Sequence, residues 1–421
     1  MDNINISFII PFFNRYRAVK KAAFSAVSSH RADVEIILVD DGSVEDGIEE
    51  LKSYCIEYPV IKYIRMDKNS GPGAARNTGI KNAAGKWLYF IDSDDEVITE
   101  NIEALVYELS RMDTAVDVVY LPNYYILYSD GREEKRAVNI DSTTFMRAED
   151  FLCSSLLRGA LRVNSLLLKK EFILKNKIFF ENIYYSEDVC YLLPLFYYAA
   201  FFGISPLCFY IHHYSAPGSL SSTHGKNKAE KQKAAARALC GAAAVFKAYK
   251  NFYAKTNSAA LKKRYDVILS VLCFLLLEDG MEEDVFRIIC EPETAPARYR
   301  FISLWFSALF ERIRAVSLDY TRNIYIMPAN QAAANFSSLI ARLNGGRGAA
   351  ACFDNLPGGG KAEKARMRGL IVRHINEYNN DGVVLVFGAY MLEIQQQLNA
   401  MRLTEDKDYM LCITGDIHEE S

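Results

Sequence analysis

The ten residues WLYFIDSDDE, Trp87 to Glu96, set five apolar side chains directly ahead of three aspartates, Asp92, Asp94 and Asp95, that crowd four positions. Like charges this close repel one another, raise each other's pKa values and lose hydration beside a sheet, so a positive group is expected to compensate them. Two readings stand at this point. One is a divalent metal. The other is a helix N-terminus, where Asp and Ser side chains cap free amides and meet the positive end of the helix dipole.

The chain on either side bears on the choice. Ile6 to Pro11 and Val34 to Asp40 (VEIILVD) are β-branched apolar runs, and Val19 to Val27 between them has helical spacing. This is a βαβ unit. A second crossover follows, with a short strand at Ile61 to Met66, a glycine-rich loop and helix over Gly71 to Asn82, and the strand Trp87 to Ile91. Strands alternating with helices predict an α/β fold, a doubly wound and mostly parallel sheet whose ligand crevice lies at the carboxyl ends of its strands. Asn14, Asp40-Asp41-Gly42-Ser43 and Asp92-Ser93-Asp94-Asp95 all fall at such ends. Polar groups from three strand ends favour a metal and nucleotide site over independent caps.

The chain has 421 residues, half of them hydrophobic, and at about 150 residues per domain it divides into two or three units with cores of their own. A net charge of -3 argues against a dedicated nucleic-acid binder. Nine cysteines occur without a CxxC or a histidine at metal spacing, as expected of reduced core residues in a cytoplasmic protein. The start MDNINISFIIP lacks the basic and apolar regions of a signal peptide, so export is not expected. Cys190 to His212 is long enough to span a bilayer, but Pro194, Gly203, Ser205 and Pro206 divide it into a helix and a following strand.

Residues 1–222 are read as the first domain and 223–318 as a helical region. Between Lys226 and Arg264, eleven Lys or Arg face one acid, Glu230. That face is either simply solvated or drawn to anionic lipid headgroups or a lipid-linked diphosphate at the inner face of a membrane. Residues 319–421 read as a small Rossmann-like α/β domain, with strands at Asn323 to Met327, Ala350 to Phe353, Val383 to Phe387 and Tyr409 to Ile413. Its first turn, Met327-Pro328-Ala329-Asn330-Gln331, lacks the GxGxxG that lets backbone approach a pyrophosphate. A structural or partner-binding role is expected there.

FIIPFFNR (8–15), EIILVDDGSVED (35–46), NSGPGAARNTGI (69–80), GKWLYFIDSDDE (85–96) and YSEDVCYLLPLF (185–196) stand in the order typical of inverting family 2 glycosyltransferases. Over about the first 220 residues the chain resembles that family, which implies a GT-A fold and a sugar transfer that inverts the anomeric carbon. The resemblance implies a nucleotide set of Pro11, Asn14, Asp40, Asp41, Gly73, Arg76, Asp92, Ser93 and Ser219. It places Asp94 on a Mn²⁺ or Mg²⁺ cofactor, Asp95 near the donor sugar and Asp188 as the base that activates the acceptor hydroxyl. Glu187 orients that base or binds the acceptor. The bland alternative for Ser186-Glu187-Asp188 is an N-cap of the next helix.

Two departures from the family pattern stand out. IHHYSAPGSLSS (211–222) resembles the segment that closes over the diphosphate, but His212 and His213 replace the usual basic residue. Either could donate to phosphate or ligate metal as neutral imidazole, and His213 is the expected ligand. Ser28-Ser29-His30 also stands where relatives often carry Gln-Thr. The partners implied are a UDP-sugar donor and a glycan or lipid-linked glycan acceptor in surface polysaccharide assembly. A nucleotide-sugar-binding scaffold that recruits other proteins through its C-terminal domain is the competing reading, and a nucleotidyltransferase, whose Lys-containing glycine loop is missing, ranks last.

Overall fold

Strands β1 (Ile6–Phe12) and β2 (Val34–Asp40) are buried along their whole length, and they pair in parallel with Ile6 opposite Val34 and Phe12 opposite Asp40. Burial on both faces requires a layer on each side of the sheet. The computed structural model describes residues 5–27, 33–44, 47–138, 143–153, 162–214, 228–278, 285, 287–288, 299–317, 322–343, 346–354, 371–379, 381–387 and 391–413. Two compact units emerge, one formed by Met1–Leu157 with Leu161–Lys231 and the other chiefly by Gln232–Ser421.

In the first unit, helix α1 (Tyr16–Ala26) buries Val19, Ala22, Ala23 and Ala26, the three-and-four spacing that turns one helical face onto a sheet. Helix α2 (Ile48–Glu57) leads to edge strand β3 (Ile61–Arg65), and α3 (Pro72–Asn82) to β4 (Trp87–Phe90). The elements that follow are β5 (Glu96–Val97), α4 (Ile102–Arg111), β6 (Val118–Tyr120), β7 (Asn123–Tyr128), β8 (Glu133–Arg136), β9 (Thr144–Arg147), α5 (Ala148–Cys153), β10 (Leu166–Lys169), α6 (Lys170–Lys175), α7 (Glu187–Tyr198), β11 (Phe201–Ile204) and β12 (Cys208–Tyr214). Eight strands form one sheet in the order β3-β2-β1-β4-β10-β6-β11-β9. Its first four are mutually parallel, while β10 runs antiparallel to both β4 and β6. A smaller sheet, β5-β12-β7-β8, lies beside it. Cys190 to His212 therefore holds one helix and two strands, divided at Ser205–Leu207, where a single strand was expected.

In the second unit, helices α8 (Lys228–Tyr253), α9 (Ala259–Glu278) and α10 (Arg300–Val316) precede β13 (Asn323–Met327), α11 (Gln331–Leu343), β14 (Ala351–Asp354), β15 (Val372–His374), β16 (Gly382–Val386), α12 (Met391–Ala400) and β17 (Tyr409–Leu411). The five strands are all parallel, in the order β15-β14-β13-β16-β17. The expected division at 318/319 does not separate two bodies, because the helices supply part of the layer that covers this sheet. Phe274 of α9 stacks on Phe387 (centroids 4.1 Å apart) and meets Phe336 and Trp305 edge-on at 4.9 and 6.0 Å. Ser270 donates to the Cys412 carbonyl at 2.6 Å. In the turn after β13, the Ala329 amide donates to Asp354, and Asn330 accepts from the Ala333 amide.

Seven described cysteines are free thiols. Among the described residues no helix is long and apolar enough to cross a membrane. Truncating Phe274 to Ala removes a ring packed on three aromatic neighbours and should cost the second unit about 4 kcal/mol, read as a lowered urea midpoint of its unfolding transition. An unchanged midpoint would show that helices and sheet do not share this core.

Candidate active site

The carboxyl ends of β1, β2 and β4 bring together the residues that the sequence motifs single out. Asn14 follows β1 in a left-handed conformation (φ 52°); its amide donates to Ser43 Oγ at 2.9 Å and its side-chain oxygen accepts from the Val44 amide at 2.9 Å. Pro11 lies buried inside β1 opposite Val39. Asp40 is fully buried and accepts from the Ser43 amide at 2.8 Å and the Tyr63 hydroxyl at 2.6 Å. Asp41 accepts from the amides of Ser70 and Gly71 at 2.7 and 2.8 Å, so its carboxylate holds the glycine-rich loop rather than standing open to the crevice. Burial raises the Asp41 pKa, and the two amide bonds only partly oppose it.

That loop needs its glycines. Gly71 has a φ of +93°, and a Cβ there would also meet the Tyr184 ring at 3.3 Å. Gly73 lets the first turn of α3 press against the segment 180–187: a Cβ would stand 3.0 Å from the Glu181 carbonyl oxygen and 3.1 Å from Phe180 Cβ. The two segments are also locked by a reciprocal pair, Asn77 donating to the Phe180 carbonyl while the Phe180 amide donates to Asn77.

Arg76, 6% exposed, is the bridge of the site. One guanidinium nitrogen donates to Glu187 and the other to Asp92, each at 2.9 Å, and the cation lies 5.3 Å from the Phe180 ring centroid. Its Nε has no hydrogen-bond partner. Although burial opposes the charge, the two carboxylates hold the guanidinium protonated above its ordinary range.

The three aspartates of the opening stretch have three different environments. Asp92 meets Arg76 and accepts weakly from Asn164 at 3.3 Å. Asp94 accepts from Arg15 at 2.7 Å, with both side chains one-fifth exposed. Burial raises the Asp94 pKa, Arg15 lowers it, and Asp95 and Asp92 raise it again. Asp95 is 2% exposed and turns into the sheet junction, where it accepts from the Tyr210 hydroxyl at 2.7 Å and the His213 amide at 2.8 Å, with His212 Nδ1 3.1 Å away. A donor-sugar contact by Asp95 has this geometry against it, because its oxygens are occupied by residues of β12. Ser93 is buried beside it.

Capping does not explain the cluster. No helix starts behind Asp95; the chain enters β5, which pairs with β12 at Glu96 opposite Ile211 and Val97 opposite Tyr210. His213 departs from its expected position as a metal ligand, since its Nε2 lies 2.6 Å from Glu96, which Lys21 also meets at 2.7 Å. Ser219 and Ser28–His30 lie outside the described residues.

Glu187 and Asp188 open helix α7. Ser186, at φ 61°, makes no side-chain cap bond, contrary to the capping alternative. Asp188 accepts only from the adjacent Val189 amide, at 2.8 Å, among its described hydrogen bonds. Burial, then the Glu187 carboxylate, pushes Asp188 up to about 6 against the pull of Arg76. Arg15, Asn164 and Tyr210 were not assigned roles from the sequence. Arg15 sits inside the FIIPFFNR block, where its charge beside a polar strand end was the available signal.

Among the described residues no group of three or more His, Cys, Asp or Glu side chains is arranged to hold a metal ion. Hard cations such as Mg²⁺ are usually held by one or two carboxylates plus substrate phosphates, so Asp94 fits such a cation as one protein ligand that a diphosphate would have to complete.

A mixed α/β sheet with acidic strand ends at β2 and β4 and a carboxylate pair at the start of α7 makes up the candidate site. Residues 7–169 match the family model described as Glycosyl transferase family 2. The chain is 29% identical over 227 residues to a cholesterol galactosyltransferase of Borreliella burgdorferi, covering 52% of this chain and 62% of that protein. It is 32% identical over 128 residues to the succinoglycan biosynthesis protein ExoO of Rhizobium meliloti, covering 30% of this chain and 35% of that one. This chain spans from 15% to 62% of the length of such relatives. The crystal structure of S. aureus TarS 1-349 in complex with UDP-GlcNAc shares the fold, with a TM-score of 0.50 at 17% identity over 74% of this chain and 88% of that one.

Replacing Arg76 by Ala leaves Asp92 and Glu187 facing each other uncompensated. The first unit should lose about 3 kcal/mol in urea unfolding without any ligand, as when one partner of a buried ion pair is removed. Loss of ligand binding alone, with unchanged stability, would show that the bridge is not structural.

Proposed function

We propose that the protein transfers a sugar from a nucleotide-sugar, in the first instance a UDP-sugar, to an acceptor hydroxyl by a single displacement that inverts the anomeric carbon. The observation that carries this reading is the Arg76 bridge. It ties Asp92, at the end of β4, to Glu187, next to Asp188 at the start of α7, so the two acidic motifs share one cation.

The donor enters at the carboxyl ends of β1, β2 and β4, with its base and ribose toward Pro11, Asn14, Asp40 and Asp92 and its diphosphate toward the Gly71–Gly73 loop. Ser219, by the resemblance of 211–222 to the family pattern, is assigned to the diphosphate. Asp188 takes the proton of the acceptor hydroxyl, which is a poor nucleophile at neutral pH, as its oxygen attacks the anomeric carbon. The bond to the diphosphate breaks on the opposite side. Glu187, fixed by Arg76, holds Asp188 and the acceptor in line. Asp94 would hold a divalent cation, which when bound would supply positive charge to a leaving group that gains negative charge. Glycan or lipid-linked glycan acceptors are favoured by the similarity to a polysaccharide biosynthesis protein and to a transferase whose acceptor is a lipid. The run from Lys226 to Arg264, with eleven Lys or Arg against one acid, has a composition suited to the anionic surface on which such acceptors sit.

The test is nucleoside diphosphate release from UDP-, GDP- and dTDP-sugars with Mn²⁺, Mg²⁺ or EDTA. One UDP-sugar should turn over only with metal. Asp94→Asn should abolish that turnover, and Asp188→Asn should abolish transfer while UDP binding measured by calorimetry stays within about threefold, as for a group that acts only in the transition state. Full transfer by Asp188→Asn would remove the base assignment. Metal-dependent UDP binding without turnover of any donor or acceptor would instead fit a binding scaffold.

Because the base works only as a carboxylate, the rate should fall as pH drops through about 6, the raised value of Asp188. Turnover with saturating donor, followed from pH 8 to pH 5, reads this limb. A flat profile across that range would contradict the assignment.

A further inference from the structure

Three aspartates within four positions each have a different partner. Asp95 is held by Tyr210, the His213 amide and the His212 ring, all on β12. Asp92 is held by Arg76 and Asn164. Those partners are themselves buried, or fixed in a strand. Asp94 meets a different kind of cation, the one-fifth-exposed guanidinium of Arg15 at 2.7 Å.

Arg15 stands on a rigid base. The preceding residue, Asn14, is tied to Ser43 and Val44 through both backbone and side chain. The main chain of the turn is thus fixed, while several rotatable bonds separate it from the charged end. A guanidinium fork matches a diphosphate as well as it matches a carboxylate.

We infer that Arg15 occupies the cation's place on Asp94 until a nucleoside diphosphate arrives, so that metal and nucleotide bind together or hardly at all. This rests on the donor site described under Proposed function and adds a residue that couples its two ligands. Two cations on one carboxylate oxygen repel each other, so metal entry requires the guanidinium to leave. The diphosphate offers Arg15 anionic oxygens in place of the carboxylate, and Asp94 then becomes available. Coupling of this kind is reciprocal: the factor by which UDP tightens metal binding equals the factor by which metal tightens UDP binding.

The experiment is Mn²⁺ titration followed by the electron paramagnetic resonance signal of the free ion, with and without UDP, for the wild type and for Arg15→Gln, Arg15→Lys and Asp94→Asn. Wild type should bind Mn²⁺ weakly alone and tightly with UDP. Arg15→Gln should bind Mn²⁺ alone about tenfold more tightly, and the gain on adding UDP should shrink by about the same factor. Arg15→Lys keeps the charge and should stay near wild type in the absence of UDP, which also serves if the Gln variant folds poorly. Asp94→Asn should lose Mn²⁺ binding in both conditions. If Arg15→Gln binds Mn²⁺ alone no better than wild type while UDP still recruits the metal, the coupling role of Arg15 is overturned and the transferase reading stands. If wild type binds neither UDP nor Mn²⁺ with UDP, both fall.

Discussion

The Arg76 guanidinium is the charge on which the rest of the first unit's site depends. It is nearly dry, and a cation in such a place is tolerated only when acceptors replace its water. Asp92 and Glu187 do so, and they come from elements about a hundred residues apart in the chain. One side chain therefore fixes how α3, the end of β4 and the start of α7 stand to one another. The packing around it serves that end. Gly73 has no side chain because Phe180 and Glu181 fill the space, the Asn77–Phe180 pair fastens the same contact, and Phe180 stacks on Tyr191 of α7 at 3.9 Å. Aromatic stacking and amide pairing keep the distance that the fork of Arg76 requires.

The repulsion within the run 92–95 is relieved by dividing it. The backbone turn, closed by the Asp95 amide on the Asp92 carbonyl, points successive carboxylates in different directions. Asp92 goes to the Arg76 bridge, Asp94 to Arg15, and Asp95 down to the second sheet. The second sheet is thus part of the site's electrostatics. Strand β12 carries both Tyr210 and His212, and its register against β5 sets them under Asp95.

Much of this was legible in the sequence, and the reasons for success and failure are physical. Strands β1 and β2 are buried on both faces, so they read as unbroken apolar runs, and the polar residues at their ends mark the crevice without any further information. The ends of β5, β7, β8 and β9 carry no such mark, since short half-exposed strands at a sheet margin mix polar and apolar residues. Asp95 was misplaced for a related reason. Its partners lie 115 to 118 positions away, and only the pairing of β5 with β12 brings them near. His213 followed from the same gap: a histidine after a core strand suggests a ligand, but Glu96 sits across the strand pair and takes its ring. The helical region and the C-terminal sheet read as separate because Phe274, Trp305 and Phe387 look like three local cores until the helices close on the strands.

The carboxylates of the crevice then fall into two kinds. Asp40, Asp41 and Asp95 receive donors from backbone amides or buried hydroxyls, and these donors cannot leave without unfolding a loop or a strand. Such groups give the crevice its shape. Asp94 and Asp188 have poorer partners: a one-fifth-exposed guanidinium in one case, and the neighbouring amide in the other. Burial raises both from the ordinary carboxylate value, as it does Asp41, but neither has the pair of loop amides that holds Asp41 in place. A site that must bind a cation and accept a proton needs groups of that second kind, and the fold can carry them only because the first kind holds everything around them in place.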